Sequence, residues 1–377
     1  MILITGGGTA GHTNPGIAVA EALVAAGIPK QDIHFVGGER GNEATLVSDA
    51  GFTIDLLPGR GIQRKISLQN IGSVLGLVKA LIKGMAIVGK RKPDVVLCLG
   101  GYAAFAGSAA AVLRRVPLVV TEQNARSSAV NRLFGHWAKV CALPFPGTDL
   151  PNGVVTGNPI RAAIVEAVEA ATPSEARHRL VKRRLPGFQP GALDDRVMVA
   201  VWAGSLGATR INTAVQELAQ RWTDRGDLVV YHIIGRRDWD QFKVDPPSPD
   251  AEGLLYITVD YEDNMSDVLV GSDIGICRAG ASTVSEIAVA GLPAVLVPLP
   301  IATRDHQRAN AAELVDGGAA ILVDDAETTS DRLAAELQPL LASADHRDRM
   351  SAAARSVARP HAAAEVAQLL LDVGGLR

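Results

Sequence analysis

The sequence predicts an α/β protein with two domains, each built around a parallel β-sheet. Short runs rich in Val, Ile and Leu alternate with longer Ala-rich amphipathic runs, which is the pattern of parallel strands joined by helices. A length of 377 residues favours two domains over one. Each half opens with a strand that runs straight into a glycine-rich turn, at residues 5–11 and 203–207. We therefore expect two Rossmann-like sheets that face each other across a cleft.

The order of elements places six strands in each half, with helices between most of them. The first six are predicted at 1–5, 33–37, 94–99, 117–121, 139–143 and 154–157. The second six are predicted at 196–203, 228–234, 255–259, 274–277, 294–298 and 320–323. Basic clusters and Pro and Gly residues interrupt the pattern between the two halves. The predicted organisation is a first domain at 1–160, a linker region at 161–195 and a second domain at 196–359, with a final helix at about 360–377 that could pack back onto the first domain.

Composition excludes several classes of protein. The formal net charge of −3 gives no general attraction to nucleic acid. Cys98, Cys141 and Cys277 each lie inside an apolar run, so we expect buried reduced thiols, as in a cytosolic protein. No stretch approaches the roughly 18 uncharged apolar residues of a membrane span, and the N-terminus lacks the features of a secretory leader. A cytoplasmic protein, soluble or peripheral, is expected.

The first glycine turn predicts a site for an anion or a sugar. Residues 6–11 lead through His12 towards a helix predicted over 16–26. Glycines let backbone N–H groups approach an anion, and a helix N-terminus adds a positive partial charge. The spacing does not match the dinucleotide fingerprint well and the P-loop lysine is absent, which disfavours hydride transfer and NTP hydrolysis. His12 is expected at the mouth of this turn, with a helix-capping role as the alternative.

Two further glycine turns follow strands in the same way, at 100–101 and at 203–208. Glycine also serves simply to turn a chain tightly, so any one of these turns could be structural. Three turns in equivalent positions favour phosphate or sugar binding.

The most informative stretch is 278–286, which reads Arg-Ala-Gly-Ala-Ser-Thr-Val-Ser-Glu. Gly280 and the Ser/Thr run are expected to start a helix. Glu286 would lie inside this helix, about one turn from its start, where it could reach a ligand bound at the helix N-terminus. An ionised carboxylate accepts hydrogen bonds only, so it suits the paired 2′ and 3′ hydroxyls of a ribose. The alternative is a capping or surface glutamate.

This stretch resembles the nucleotide-sugar signature of the GT-B glycosyltransferases, and nearly the whole chain is similar to the N-acetylglucosamine transferases of peptidoglycan synthesis. The motifs that carry the resemblance are 6–15, 100–102, 122–124, 157–161, the turn at Ser205, 278–286 and 305–310. The resemblance implies that the second domain binds UDP-N-acetylglucosamine. It implies that the first domain receives undecaprenyl-pyrophosphoryl-N-acetylmuramoyl-pentapeptide at the cytoplasmic membrane face. The implied reaction is inverting transfer to the 4-hydroxyl of the muramoyl sugar, without a metal or other cofactor.

The resemblance also implies roles for particular residues. His12 is the expected general base, because histidine suits proton transfer near neutrality. Glu286 is assigned to the ribose, and the backbone near Glu262 to the uracil. The residues assigned to the diphosphate are Ala281, Ser282, Thr283, Val284, Ser285, Ser205 and Arg161. Those assigned to the donor sugar and its junction with the acceptor are Asn124, His306, Gln307, Thr9, Ala10 and Gly11.

Three positions depart from the family pattern. Thr121 stands where histidine is usual, Leu206 where glutamine is usual, and Glu262 where an apolar residue is usual. These changes concern donor affinity and sugar identity. Asp238-Trp239-Asp240 spells the Asp-x-Asp of metal-using glycosyltransferases, but its basic neighbours favour a solvated loop.

One predicted helix has the pattern of a membrane-surface helix. Its apolar face would consist of Val74, Leu77, Val78, Leu81, Met85 and Val88, and its basic face of Lys79, Lys83 and Lys90. Such a helix can lie on an anionic membrane, or it can face the core and leave its lysines in solvent.

Three other functions remain open at this stage. The chain could be a GT-B enzyme with a soluble acceptor, or a UDP-N-acetylglucosamine 2-epimerase of the same architecture. It could also be a non-catalytic paralogue that binds a UDP-sugar, an idea motivated by Thr121 and Leu206.

Overall fold

The computed structural model describes residues 1–7, 10–39, 41, 43–59, 69–204 and 208–376, except the side chains of Ala10 and of 69–75. Contacts divide the chain into two units. The first comprises Met1–Ala162 and Arg359–Arg377, and the second comprises Ala163–Ala358. The predicted linker, 161–195, is largely helical, and most of it belongs to the second unit.

The described residues of the first unit form one parallel sheet with the strand order β3-β2-β1-β4-β5-β6-β7. Its strands are β1 (Ile2–Gly6), β2 (Ile33–Gly38), β3 (Thr53–Leu57), β4 (Val95–Gly100), β5 (Leu118–Thr121), β6 (Val140–Leu143) and β7 (Gly153–Val155). Its helices are α1 (Ala10–Ala25), α2 (Glu43–Asp49), α3 (Gln69–Arg91), α4 (Gly101–Leu113), α5 (Ala129–Gly135) and, from the end of the chain, α15 (Ala362–Gly374). In the register, Ile4 of β1 lies between Phe35 of β2 and Leu97 of β4.

The described residues of the second unit form a second parallel sheet with the order β10-β9-β8-β11-β12-β13. Its strands are β8 (Val197–Trp202), β9 (Leu228–Ile233), β10 (Leu255–Val259), β11 (Ile274–Cys277), β12 (Ala294–Leu296) and β13 (Ala320–Leu322). Its helices are α6 (Ala162–Ala170), α7 (Pro173–Arg184), α8 (Thr209–Arg221), α9 (Trp239–Phe242), α10 (Met265–Gly271), α11 (Ala281–Ala290), α12 (His306–Asp316), α13 (Ser330–Ala342) and α14 (Ala344–Ser356). The predicted α/β class with two Rossmann-like sheets is confirmed.

Both sheets are covered by helices, which explains why their strands read as nearly continuous apolar runs. In the first unit, one apolar cluster lies between the sheet and helices α1 and α15, and a second lies between the sheet and helices α3 and α4. The last helix, α15, contributes Val366, Ala367, Leu370 and Leu371 to the first cluster. The three cysteines are buried and free, as predicted.

Two elements of the first unit differ from the prediction. Strand β3 was not predicted, because this edge strand buries only Leu57 completely and so lacks a continuous apolar run. Helix α1 begins at Ala10, six residues before the predicted start at residue 16. Pro15 falls in the second turn of this helix, where it has no N–H to donate to the carbonyl of Gly11.

Helix α3 packs against α4 through a face that overlaps the predicted one only in part. Ala80, Gly84, Ile87 and Val88 are buried, and Gly84 lies against the backbone of Ala106. The predicted apolar face is therefore split, because Val88 is buried whereas Val78 is 50% exposed. No helix in the described part of the chain is long and apolar enough to cross a bilayer.

Candidate active site

The order of strands creates a switch point between β1 and β4 in the first sheet. The chain winds in opposite directions from this point, and ligands of open parallel sheets bind at the carboxyl ends of the strands beside it. Gly6 pairs with Gly100 there, and each strand ends in a glycine turn. A Cβ atom on Gly101, whose φ is +80°, would lie 2.3 Å from the carbonyl oxygen of Gly7. Glycine is therefore required for the two turns to approach each other.

The start of α1 places His12 at this edge of the first sheet. Helix α1 follows β1 directly, so its first turn lies at the carboxyl end of the strand. His12 is half-buried within that turn, and Gly11 before it is exposed. Of the predicted neighbours, Ala10 is described by its backbone only, and Thr9 lies outside the described residues.

Asn124 is held by Glu122, a residue for which no role was predicted from the sequence. The Glu122 side chain is fully buried at the end of β5. Its carboxylate accepts hydrogen bonds from the main-chain N–H groups of Gln123 and Asn124 at 3.0 Å each and from that of Ser128 at 2.8 Å, and from Asn131 Nδ2 at 2.8 Å. A buried carboxylate needs such donors. Glu122 therefore fixes the loop that carries Asn124. Its signal in the sequence was an acidic residue directly after a buried strand.

Arg161 and Thr121 also belong to the first unit. Arg161 is half-buried and directly precedes α6. Thr121, at the end of β5, is fully buried, and its hydroxyl oxygen has no hydrogen-bond partner among the described residues. The substitution of the family histidine thus places a small polar group inside this edge of the sheet.

The second sheet has its own switch point, between β8 and β11, where Trp202 pairs with Cys277. The third glycine turn follows β8, but Ser205 and Leu206 lie outside the described residues. Residues 278–280 follow β11 and lead into α11. The guanidinium of Arg278 braces this turn, because it donates to the carbonyl oxygens of Val297 and Pro298 at 3.2 Å each.

Helix α11 points its N-terminus at the carboxyl edge of the second sheet. Gly280 caps the helix and accepts a hydrogen bond from the Val284 N–H at 2.9 Å. The amides at the free start of the helix are therefore those of Ala281, Ser282 and Thr283, whereas Val284 is already engaged. The hydroxyl of Ser285 donates back to the carbonyl of Ala281 at 3.0 Å. This helix start suits an anion.

Glu286 lies in the second turn of α11 and is half-buried. Its charge acts with burial to raise the pKa of Cys277, which shows that the carboxylate lies near the end of β11. Helix α12 packs against α11, and Asn310 Nδ2 donates to the carbonyl of Ala279 at 3.3 Å. The structure therefore brings the 278–286 segment and the start of α12 together.

The start of α12 presents two side chains with defined hydrogen-bonding roles. The carbonyl of Thr303 lies 2.9 Å from His306 Nδ1, so the neutral ring carries its proton on Nδ1 and leaves Nε2 as an acceptor. The side-chain oxygen of Gln307 accepts from the Leu299 N–H at 2.9 Å, which leaves its NH₂ group to donate. Arg304 and Asp305 before the helix have φ values of 56° and 52°. Consecutive left-handed residues of this kind are strained, and strain of this kind clusters at functional sites.

The side chain of Glu262 points into the protein. Glu262 lies in the turn between β10 and α10, and its carboxylate accepts from Tyr231 Oη at 2.6 Å and Arg184 Nε at 3.1 Å. Burial disfavours its charge, but the hydrogen bonds from Tyr231, the Asn264 N–H and Arg184 hold the Glu262 pKa below its usual range. Only the backbone of this residue is left for a ligand.

The solvated-loop interpretation of the Asp-x-Asp sequence is wrong for its first residue. Asp238 is buried and accepts from Arg237 Nε at 2.7 Å, Thr209 Oγ1 at 3.0 Å and Asn212 Nδ2 at 3.2 Å. The second residue, Asp240, is exposed and pairs with Lys243. Asp238 therefore joins the 235–238 loop to α8, which is a structural role.

Comparison with known proteins assigns both halves of the chain. Residues 2–142 match the glycosyltransferase family 28 N-terminal domain, and residues 198–368 match the glycosyltransferase family 28 C-terminal domain. The chain belongs to glycosyltransferase family 28 and is a glycosyltransferase. This agrees with two Rossmann-like sheets whose switch points carry glycine turns and a helix N-terminus.

Relatives similar over the full length carry one name, UDP-N-acetylglucosamine--N-acetylmuramyl-(pentapeptide) pyrophosphoryl-undecaprenol N-acetylglucosamine transferase. One from Salinibacter ruber is 37% identical, over 98% of this chain and 96% of its own length. One from Nitratidesulfovibrio vulgaris strain DP4 is 36% identical, over 99% of this chain and 97% of its own length. The resemblance identified from the motifs is confirmed.

Solved structures agree. Acinetobacter baumannii MurG is 28% identical with a TM-score of 0.74, covering 98% of this chain and 99% of its own. A UDP-GlcNAc 2-epimerase from Neisseria meningitidis, solved with UDP-GlcNAc, has a TM-score of 0.67 at 15% identity, covering 98% of this chain and 99% of its own. The likeness to the epimerase concerns the fold alone.

Proposed function

We propose that this protein transfers N-acetylglucosamine from UDP-N-acetylglucosamine to the 4-hydroxyl of undecaprenyl-pyrophosphoryl-N-acetylmuramoyl-pentapeptide, with inversion at the sugar carbon. The observation that carries the proposal is the free N-terminus of α11 with Glu286 in its second turn. Membership of family 28 and the shared name of the full-length relatives support this choice of donor and acceptor.

The donor site proposed here uses groups from two neighbouring segments of the second unit, the starts of α11 and α12. The amides of Ala281, Ser282 and Thr283 bind the diphosphate, and Glu286 accepts from the ribose hydroxyls. The NH₂ group of Gln307 donates to a sugar hydroxyl, and His306 Nε2 accepts from another. These donors and acceptors match the polar groups of a nucleotide sugar.

The uracil is assigned to the backbone of Glu262. Helices α10 and α11 follow parallel strands and contact each other, so their N-termini share one edge of the second sheet. In the described part of the chain, no group accepts from the main-chain N–H of Glu262 and none donates to its carbonyl oxygen. One N–H and one C=O match the O4 acceptor and N3–H donor of uracil.

The proposed chemistry needs a base and a stabilised leaving group. His12 accepts the proton of the attacking hydroxyl as the bond between the sugar and UDP breaks. The positive end of α11 holds the negative charge that develops on UDP. Because helix amides supply this stabilisation, the mechanism requires neither a metal ion nor another cofactor.

The test is transfer of radiolabel from UDP-N-acetylglucosamine to the lipid-linked muramoyl pentapeptide in detergent, with UDP-glucose as a competing donor. We expect lipid-soluble label only when acceptor is present, and little competition from UDP-glucose. Measurable UDP-sugar binding without transfer to this acceptor would contradict the proposal and favour a soluble acceptor or a non-catalytic protein.

A lipid-linked acceptor requires contact with the membrane, and we assign this contact to the solvent face of α3. Val78 and Ile82 are 50% and 65% exposed, and Lys79, Lys83 and Lys90 are exposed on the same helix. Exposed apolar side chains next to lysines suit the interface of an anionic bilayer. The proposed location is thus the cytoplasmic face of the cell membrane.

Replacing Val78 and Ile82 together with aspartate is expected to lower partitioning onto anionic vesicles about tenfold or more, because the variant loses apolar contact and gains negative charge. Cosedimentation with vesicles measures the effect, and UDP binding should stay unchanged. The control is Leu133→Asp on α5, which changes a residue that is 43% exposed elsewhere in the first unit. Equal partitioning of the double variant and the wild type would contradict the assignment.

A further inference from the structure

The turn between β10 and α10 is held in place by polar side chains that come from two other elements. Arg184 ends α7, a helix that packs along α10, and Tyr231 lies in the middle of β9. Both reach Glu262, whose side chain is completely buried. A buried carboxylate is an expensive feature in a surface turn, because it must be matched by donors before it can be tolerated.

The geometry fixes the turn at three points. Arg184 Nε donates to the Glu262 carboxylate at 3.1 Å, and Arg184 Nη2 donates to the carbonyl oxygen of Tyr261 at 2.9 Å. The other carboxylate oxygen of Glu262 accepts from the Asn264 N–H at 2.9 Å. One guanidinium and one carboxylate therefore set the backbone on both sides of Glu262, while its own N–H and C=O stay outside these bonds.

Tyr231 adds a link to the interior of the sheet. Its hydroxyl donates to the Glu262 carboxylate at 2.6 Å from one of the largest fully buried side chains of the protein. Burial and the adjacent carboxylate raise the pKa of Tyr231, so that it remains a donor. Strand β9 thus fixes the position of the turn relative to the edge of the sheet.

We propose that Arg184, Glu262 and Tyr231 act together as a positioning unit that holds the Glu262 backbone at the angle needed to read the nucleobase of the donor. The inference rests on the proposed function, because it takes the nucleobase to lie at this turn. The three side chains touch no part of the donor, and they act through the main chain of Glu262. The unit explains how a charged side chain is accommodated in this turn.

A discriminating readout is the preference for UDP over CDP. Cytosine carries an N4 amino group and an unprotonated N3, so both of its groups oppose the N–H and C=O that suit uracil. Sites built for particular hydrogen bonds reject ligands that cannot make them. Loosening the turn should therefore lower the ratio of the dissociation constant for CDP to that for UDP. General destabilisation of the fold would leave this ratio unchanged.

The experiment compares Arg184→Met with Arg179→Met by calorimetry with UDP and CDP. Arg179 lies on the same helix and pairs with Asp267 and not with Glu262. Arg183, which also binds Asp267 and lies 3.7 Å from the Glu262 carboxylate, is retained in both variants. We expect Arg184→Met to weaken UDP binding about tenfold and to reduce the preference for UDP at least fivefold. Its kcat should stay close to that of the wild type while the KM for the sugar nucleotide rises.

Two further variants keep the test decisive. Arg184→Lys retains the charge without the fork of donors, so an intermediate preference is expected. Tyr231→Phe removes one hydroxyl without changing shape, and a shift of about threefold in the same direction is expected even if Arg184→Met does not fold.

Glu286→Ala separates the two possible failures. In one outcome, Glu286→Ala weakens UDP binding, but the preference for UDP over CDP in Arg184→Met, Arg184→Lys and Tyr231→Phe equals that of the Arg179→Met control. The positioning role is then wrong, and the proposed donor site is retained. If Glu286→Ala leaves UDP binding unchanged, the donor site is wrong and the positioning role falls with it.

Discussion

Glu286→Ala is expected to weaken UDP binding about a hundredfold, since it removes two hydrogen bonds between an ionised carboxylate and ribose hydroxyls that contribute about 1.5 kcal/mol each. Glu286 is half-buried on α11, close to the end of β11. Alanine is a better helix former than glutamate, so the helix itself should be preserved. The loss should therefore appear in binding and not in the free energy of unfolding.

Calorimetry with UDP and 2′-deoxy-UDP measures this effect. The wild type should prefer UDP, and Glu286→Ala should lose most of that preference. Glu336→Ala is a matched control, because Glu336 pairs with Arg332 on α13 and belongs to no part of the proposed site. An unchanged affinity for UDP in a variant that unfolds like the wild type would remove Glu286 from the ribose.

His12→Ala is expected to lower kcat by about a thousandfold, within the range measured for general acid–base groups. The dissociation constant for UDP should change less than twofold, because the diphosphate and ribose are assigned to groups other than His12. The effect is thus a loss of proton transfer with binding intact. Radiolabel transfer at saturating donor and acceptor measures kcat, and calorimetry measures UDP binding.

The pH dependence of His12→Ala provides an independent check. In the wild type, kcat should fall as the pH falls through the range in which histidine becomes protonated, because the imidazolium cannot accept a proton. The residual rate of the variant should lack this decline. His136→Ala is the control, since His136 is an exposed histidine of the same unit. Equal losses of UDP affinity in His12→Ala and Glu286→Ala would overturn the division of roles between the two residues.

Most strands of both sheets could be predicted from sequence, because a strand that is covered on both faces of its sheet has a continuous run of apolar residues. The first strand, Ile2–Gly6, and the first strand of the second unit, Val197–Trp202, were found within a residue of their observed ends. The edge strand Thr53–Leu57 was missed because most of its residues are only partly covered. The early start of α1 was missed because Gly11 and Pro15 are signals of a turn, and their tertiary context overrides them.

The donor motif could also be predicted, since a helix start and its flanking turn are local in sequence. Residues 278–286 do follow the end of a strand and form a cap and the first turns of α11. The partners of Glu262 could not be predicted. Arg184 and Tyr231 lie 78 and 31 positions from Glu262 in the chain, and no local pattern connects them.

By itself the sequence determined the α/β class, the two Rossmann-like halves, the family and the segments that carry the proposed site. These follow from periodicity and from short motifs, which depend on neighbouring residues only. The tertiary structure alone decided which side chains face a ligand and which face the interior. It turned the carboxylates of Asp238 and Glu262 inwards onto donors and left Val78 and Ile82 exposed. The physical reason is that a buried charge or an exposed apolar face depends on groups distant in sequence, which only the folded chain brings into contact.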